Sequence, residues 1–293
     1  MQTSDSKQPN LQPLLAAAGL GGAAPALLPL LAPSLRLKAA AADGKPSVDE
    51  ARLPPGASKL GGLPDLPAGT AWPEWNGVPL ALVAQVHLDD LRAYPAAAAL
   101  PGAGWLHFFY DARQQAFGDK PGDRGAWQVR YTPGEAAAGL TRQAAPASLP
   151  AASRFKPCAV AWALDWTMPL QPSVLNPKLA WTPDEQSKYD AFIEQHFADR
   201  SGPLHRLLGQ ADDIQDDMHL QCQLLSHGVS DEHDPRAAAL AAGALNWRLL
   251  LQVDSDAAAG MRWGSAGRLY FWVEQDALQA RRFDNVWMAM QSD

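Results

Sequence analysis

The densest run of reactive side chains is Asp212, Asp213, Asp216 and Asp217, with His219 two positions on. Carboxylates at this spacing can hold a hard cation such as Mg²⁺ or Ca²⁺ through oxygen ligands. The run lacks the central glycine and terminal glutamate of a calcium loop, so a solvated acidic loop stands as the other reading. His227 and His233, among Asp231, Glu232 and Asp234, offer donors to a transition metal, in a segment whose polarity suits an exposed linker. Asp254 and Asp256 close an apolar run, where paired carboxylates can act as acid and base while Arg268 offsets developing negative charge. The same Asp-Ser-Asp run equally well caps a turn.

Other chemistry is excluded more firmly. The nucleophile-elbow, zinc-protease and phosphate-loop patterns do not occur. Gly19-Leu20-Gly21-Gly22-Ala23-Ala24 formally fits a dinucleotide fingerprint, but an Ala/Leu helix precedes it and Pro25 follows, where a strand and a full helix are required. Cys158 and Cys222 stand alone, without a C-x-x-C spacing, and are expected as buried thiols. No cofactor, no metal and no catalytic residue is expected from these patterns.

The elements that must position these groups are short strands. The runs 249–253, 268–274 and 285–290 are rich in apolar, branched and aromatic residues, as are 79–88, 105–110 and 126–131. Residues 34–38 alternate, and 157–166 extend the series. Segment 132–153 reads as an Ala/Gly/Pro-rich loop, and residues 1–10 as a disordered lead-in. Thr182-Pro183-Asp184-Glu185 is a helix start with a capping box, and Tyr189, Phe192, Ile193, His196 and Phe197 then share one face, which predicts a helix packed on the sheets.

The order of these pieces repeats. Gly61 and Gly62 with Asp65 behind them match Gly209 with Asp212; Gln85 in a strand matches Gln252; the strand after Gly104 matches the strand after Gly267. The repeat predicts an α+β fold of two pseudo-symmetric strand-rich halves, mostly antiparallel, with a few packing helices. The halves are placed at about 34–131 and 203–293, joined by a loop-plus-helix segment 132–202, as one domain 34–293 behind short N-terminal helices in 1–33.

Several ordered motifs, namely Ser58-Lys59-Leu60-Gly61-Gly62-Leu63-Pro64-Asp65-Leu66-Pro67, Ala84-Gln85-Val86, His205-Arg206-Leu207-Leu208-Gly209, Gln215-Asp216-Asp217-Met218, Leu220-Gln221-Cys222-Gln223-Leu224 and most of 249–291, together resemble the YwqG-like family of bacterial proteins. That resemblance implies the two-half α+β fold but no reaction, cofactor or catalytic residue. Some relatives resemble members of toxin and immunity gene neighbourhoods.

Charge narrows the partners. A formal net charge of −7 opposes a nucleic-acid backbone or an anionic membrane as the main partner. Prolines at 13, 25, 29 and 33 break the N-terminal apolar stretch, so neither a secretory core nor a membrane span is expected, and the chain reads as cytoplasmic. The leading expectation is a non-catalytic binding or interaction protein, immunity-like in one version, with a protein or small-molecule partner. The alternative is a hydrolase using Asp254 and Asp256 or the 212–217 cluster, with or without a divalent metal. A third is a ligand sensor lined by Trp263, Trp272 and Gln252. The candidate ligand-binding residues are Gly61, Gly62, Gln85, Gln215, Gln252, Asp254, Asp256, Trp263, Arg268 and Trp272.

Overall fold

A computed structural model describes residues 7–39, 49–179, 181–198 and 201–293. The strands, in chain order, are β1 (Ala32–Ala39), β2 (Lys59–Leu60), β3 (Asp65–Pro67), β4 (Glu74–Trp75), β5 (Val78–Pro79), β6 (Ala81–His87), β7 (Trp105–Tyr110), β8 (Trp127–Thr132), β9 (Leu140–Arg142), β10 (Cys158–Thr167), β11 (Arg206–Leu207), β12 (Trp247–Asp254), β13 (Arg268–Glu274) and β14 (Trp287–Gln291). Ten of them form one antiparallel sheet in the order β14-β13-β12-β11-β1-β10-β2-β6-β7-β8. With the helices Leu11–Ala17, Pro183–His196 and His219–Ser226 among others, the fold is α+β.

The interior strands are apolar on both faces. Leu249, Leu250, Leu251 and Val253 of β12 are all buried, as are Leu82, Val83, Ala84 and Val86 of β6. Such continuous apolar runs are what strands covered on two sides require. The sheet folds over so that its two ends meet. Phe108 of β7 packs edge-to-face on Phe271 of β13 at 5.2 Å, and Trp127 of β8 on Trp287 of β14 at 4.9 Å. Each indole N–H also crosses the contact: Trp127 donates to the Val286 carbonyl at 2.8 Å and Trp287 to the Gly118 carbonyl at 3.0 Å. One hydrophobic core therefore draws on both ends of the sheet.

The strands that hold the sheet together are the ones hardest to see. β2 and β11 are two residues each, yet β2 joins β10 to β6 and β11 joins β1 to β12. The long central pair β1 and β10 is connected crosswise. β1 precedes β2 in the chain but pairs with β11, and β10 precedes β11 but pairs with β2.

Three expectations need adjustment. Segment 132–153 is not all loop, since Leu140–Arg142 pairs with Asp65–Pro67 as a small sheet of its own. The helix Pro183–His196 has its predicted capping box at Thr182 and Glu185, but its buried face lies chiefly against Leu11, Leu15, Leu20, Leu27 and Met168 rather than among the core strands. The apolar N-terminal segment needs a cover, and this face supplies it. The lead-in reading of 1–10 falls largely outside the described residues. Among the described residues no helix is long and apolar enough to cross a membrane.

Candidate functional site

The paired glycines do what their spacing demands. Gly61 and Gly62 adopt φ of +62° and +73°, and a Cβ on Gly61 would sit 2.6 Å from the Lys156 carbonyl oxygen. The bend returns the chain under β6, where the buried Gln85 amide binds it on both atoms. Its Nε2 donates to Ala57 O and Asp65 Oδ2 at 2.9 Å each, and its Oε1 accepts from Asp65 N at 2.8 Å. Arg142 Nε lies 2.9 Å from Asp65 Oδ1, and the fully buried Lys59 Nζ lies 3.3 Å from Oδ2. Burial alone would raise the Asp65 carboxyl; the Arg142 and Gln85 hydrogen bonds with the Lys59 charge outweigh it and hold the group below its ordinary value. His107 places Nε2 2.9 Å from Asp65 O, and burial depresses its ring to about 4, so it is neutral.

A second set stands at the other end of the sheet. Leu208 and Gly209 bend at φ of +62° and +83°. Gln252 Nε2 donates to Leu204 O at 2.7 Å and Asp212 Oδ2 at 2.8 Å, while its Oε1 accepts from Asp212 N at 2.9 Å. Arg206 grips both Asp212 oxygens, at 2.8 and 3.1 Å, and Tyr270 Oη donates to Asp212 O at 2.7 Å. Gln85 and Gln252 are thus committed to internal bonds.

The strand-end carboxylates are committed as well. Asp254 Oδ2 accepts from Leu204 N at 2.8 Å and lies 3.3 Å from Arg268 Nε; its Oδ1 accepts from Ser255 N at 2.9 Å. Arg268 Nη1 donates to Asp212 O at 2.7 Å. His205 Nδ1 accepts from Asp254 N at 3.1 Å, which leaves the proton on Nε2, 3.2 Å from Asp256 Oδ2. That bond holds Asp256 below its ordinary value against the opposing effect of burial. Asp256 Oδ1 caps Ala258 N at 2.7 Å. Trp263 is fully buried against Tyr110 and Phe155. Gln215 donates to Ser292 O at 2.9 Å. Of the sequence candidates, Gln252, Asp254 and Arg268 therefore meet in one network around Asp212 and Leu204, whereas Gly61, Gly62 and Gln85 belong to the opposite end.

Trp272 lies elsewhere. It lines a cleft of about 520 Å³ between the start of β1, the bend after β11, the β12–β13 pair and the helix His219–Ser226. Leu208, Trp247, Leu249 and Leu278 supply apolar walls, with Gln210, Gln275, His219 and Arg248 as the polar groups. Asp217 fixes the histidine: Oδ1 accepts from His219 N at 2.8 Å and Oδ2 sits 2.7 Å from Nδ1. A carboxylate there holds a proton on Nδ1, so that in the neutral ring Nε2 is the acceptor nitrogen. His219 meets Trp272 edge-to-face at 4.7 Å, and the buried Trp272 Nε1 has no hydrogen-bond partner among the described residues. Asp213 Oδ1 is likewise buried and unpartnered; burial, with Asp217 and Asp212 close by, pushes that carboxyl well above its ordinary value.

The acidic run is thereby divided among tasks. Asp212 pairs with Arg206 and Asp217 with His219, and among the described residues no group of three or more His, Cys, Asp or Glu side chains is arranged to hold a metal ion. Trp247 and Arg248 were not singled out in sequence, and His219 was read there only as a neighbour of the acidic run. The available signal was the Asp-x-His spacing together with Met218, Cys222 and Leu225 at helical intervals, which marks a buried helix face bringing His219 inward.

The model of a domain of unknown function, DUF1963, matches residues 58–292. The chain belongs to the DUF1963 family. A search of curated proteins found no match. The DUF1963 region holds both glutamine-aspartate networks and the His219, Trp247 and Trp272 walls of the cleft. Pro29, Leu30, Ala32 and Pro33, on the opposite lip, come from the segment ahead of it.

Proposed function

We propose that this DUF1963 chain is a non-catalytic, cytoplasmic, YwqG-like binding protein, built from two duplicated halves, whose partner is a small molecule held in the Trp247–Trp272 cleft. What carries the reading is the state of the polar groups: the sequence candidates elsewhere are consumed by internal bonds, whereas His219, oriented by Asp217, lines an apolar cleft, and its Nε2 makes no hydrogen bond among the described residues. A volume of about 520 Å³ with a few oriented polar groups suits a small ligand. The duplication is supported by the matching bends, by the two glutamine-aspartate networks, and by bulges at corresponding places in β6 and β12, between Leu82 and Ala84 and between Leu249 and Leu251.

The test is native mass spectrometry of the protein isolated from its own cells, followed by a thermal-shift screen of small metabolites. A retained small molecule, displaced in a Trp272→Ala variant, is the expected result. A ligand at about a hundred times its Kd adds roughly 2.7 kcal/mol to native stability, enough to read as a shift. No bound molecule and no shift across the screen count against the reading.

A second reading has one observation in its favour. The Asp217–His219 pair, 2.7 Å apart, has the arrangement of an orienter and a base, and in a hydrolytic site the imidazole would take a proton from water. Turnover that Asp217→Asn abolishes, with ligand affinity retained, would favour this hydrolase over the binding protein.

A further inference from the structure

The proposed ligand class can be narrowed, an inference that rests on the binding-cleft reading. Among the residues lining the cleft Arg248 carries the only fixed charge, and no carboxylate residue lines it; Asp217 is behind His219. Arg248 Nη1 donates to Leu245 O and Trp247 O at 2.8 Å each, so two carbonyls hold the guanidinium in place. Among the described residues no carboxylate forms an ion pair with it, and Nε and Nη2 make no hydrogen bond there. Arg248 is exposed at the rim, and the desolvation its guanidinium does undergo disfavours the charged form, a cost that a bound anion would offset.

We infer that the cleft takes a small monoanionic carboxylate with a flat or branched apolar body, its carboxylate on the free edge of Arg248 and its body against Trp247, Trp272, Leu249 and Leu278. A guanidinium edge offers two parallel N–H groups, the geometry that a carboxylate accepts. One arginine matches one negative charge; a dianionic phosphate would leave its second charge facing apolar walls. His219 Nε2, an acceptor, would take a hydrogen bond from a hydroxyl or N–H on the body of the ligand.

The experiment titrates the full chain with phenylacetate and with its neutral isostere phenylacetamide, by calorimetry and thermal shift, in the wild type and in Arg248→Gln. The expected result is that phenylacetate binds at least tenfold more tightly than phenylacetamide, and that Arg248→Gln removes this preference while phenylacetamide affinity is unchanged. Equal affinity for the two in the wild type, or a preference that survives Arg248→Gln, overturns the carboxylate assignment and leaves the binding cleft standing. Binding of neither compound, together with an empty metabolite screen, overturns both. Should Arg248→Gln fail to fold, the wild-type comparison of the two probes still decides.

Discussion

Asp213 and His219 show how differently one acidic run can be used. Asp217 spends its charge orienting an imidazole, while Asp213 turns an oxygen into the interior without a partner. A carboxyl whose folded value is raised binds its proton more tightly in the native state than in the unfolded chain. Its contribution is therefore complete below the unfolded value of about 4 and is lost as pH climbs through the folded value. Asp213→Asn removes that loss, so the variant should match the wild type at pH 4 and melt at a higher temperature at pH 7. Paired denaturation curves at the two pH values check the sign. A variant less stable at pH 7 would mean that the ionised carboxylate has a partner and a use. The type and spacing of these residues were visible in sequence. Which carboxylate would be paired and which buried without a partner was not, because that depends on Arg206, Arg268 and Tyr270 arriving from other strands.

At the scale of elements, the longer strands were legible because β6, β7, β12 and β13 are apolar runs that end at polar turns. The two-residue strands β2 and β11 were not, since two residues carry no periodicity and their pairing is fixed by partners far along the chain. The helix His219–Ser226 was missed for a related reason: a short apolar segment fits helix and strand alike until its neighbours decide. The Gly61-Gly62 and Gly209 positions were matched in sequence as a repeat, and in the fold both bends deliver an aspartate, Asp65 or Asp212, to the glutamine of β6 or β12. Gln252→Leu would strand Asp212 N and Leu204 O, and should cost about 2–6 kcal/mol at about 1–3 kcal/mol for each of the two. Chemical denaturation measures it. A cost below about 1 kcal/mol would mean that water replaces the amide, which the burial of Gln252 argues against.

For the molecule as a whole, closure of the sheet on itself makes the Trp127–Trp287 and Phe108–Phe271 contacts as much a part of the core as any strand pair. Aromatic composition alone did not foretell this, because eleven tryptophans are equally compatible with a binding groove. Most of them are interior or wall residues, and Trp272 joins the core to the cleft. The crosswise placement of β1 and β10 has a mechanical consequence. A protease site inserted between the exposed Ala147 and Ser148 would, once cut, leave one fragment carrying β1 through β9 and the other β10 through β14. Neither fragment could leave without pulling its own strand from between two strands of the other, like the tines of two interleaved forks. The severed protein should therefore run as a single species in gel filtration and separate only in denaturant.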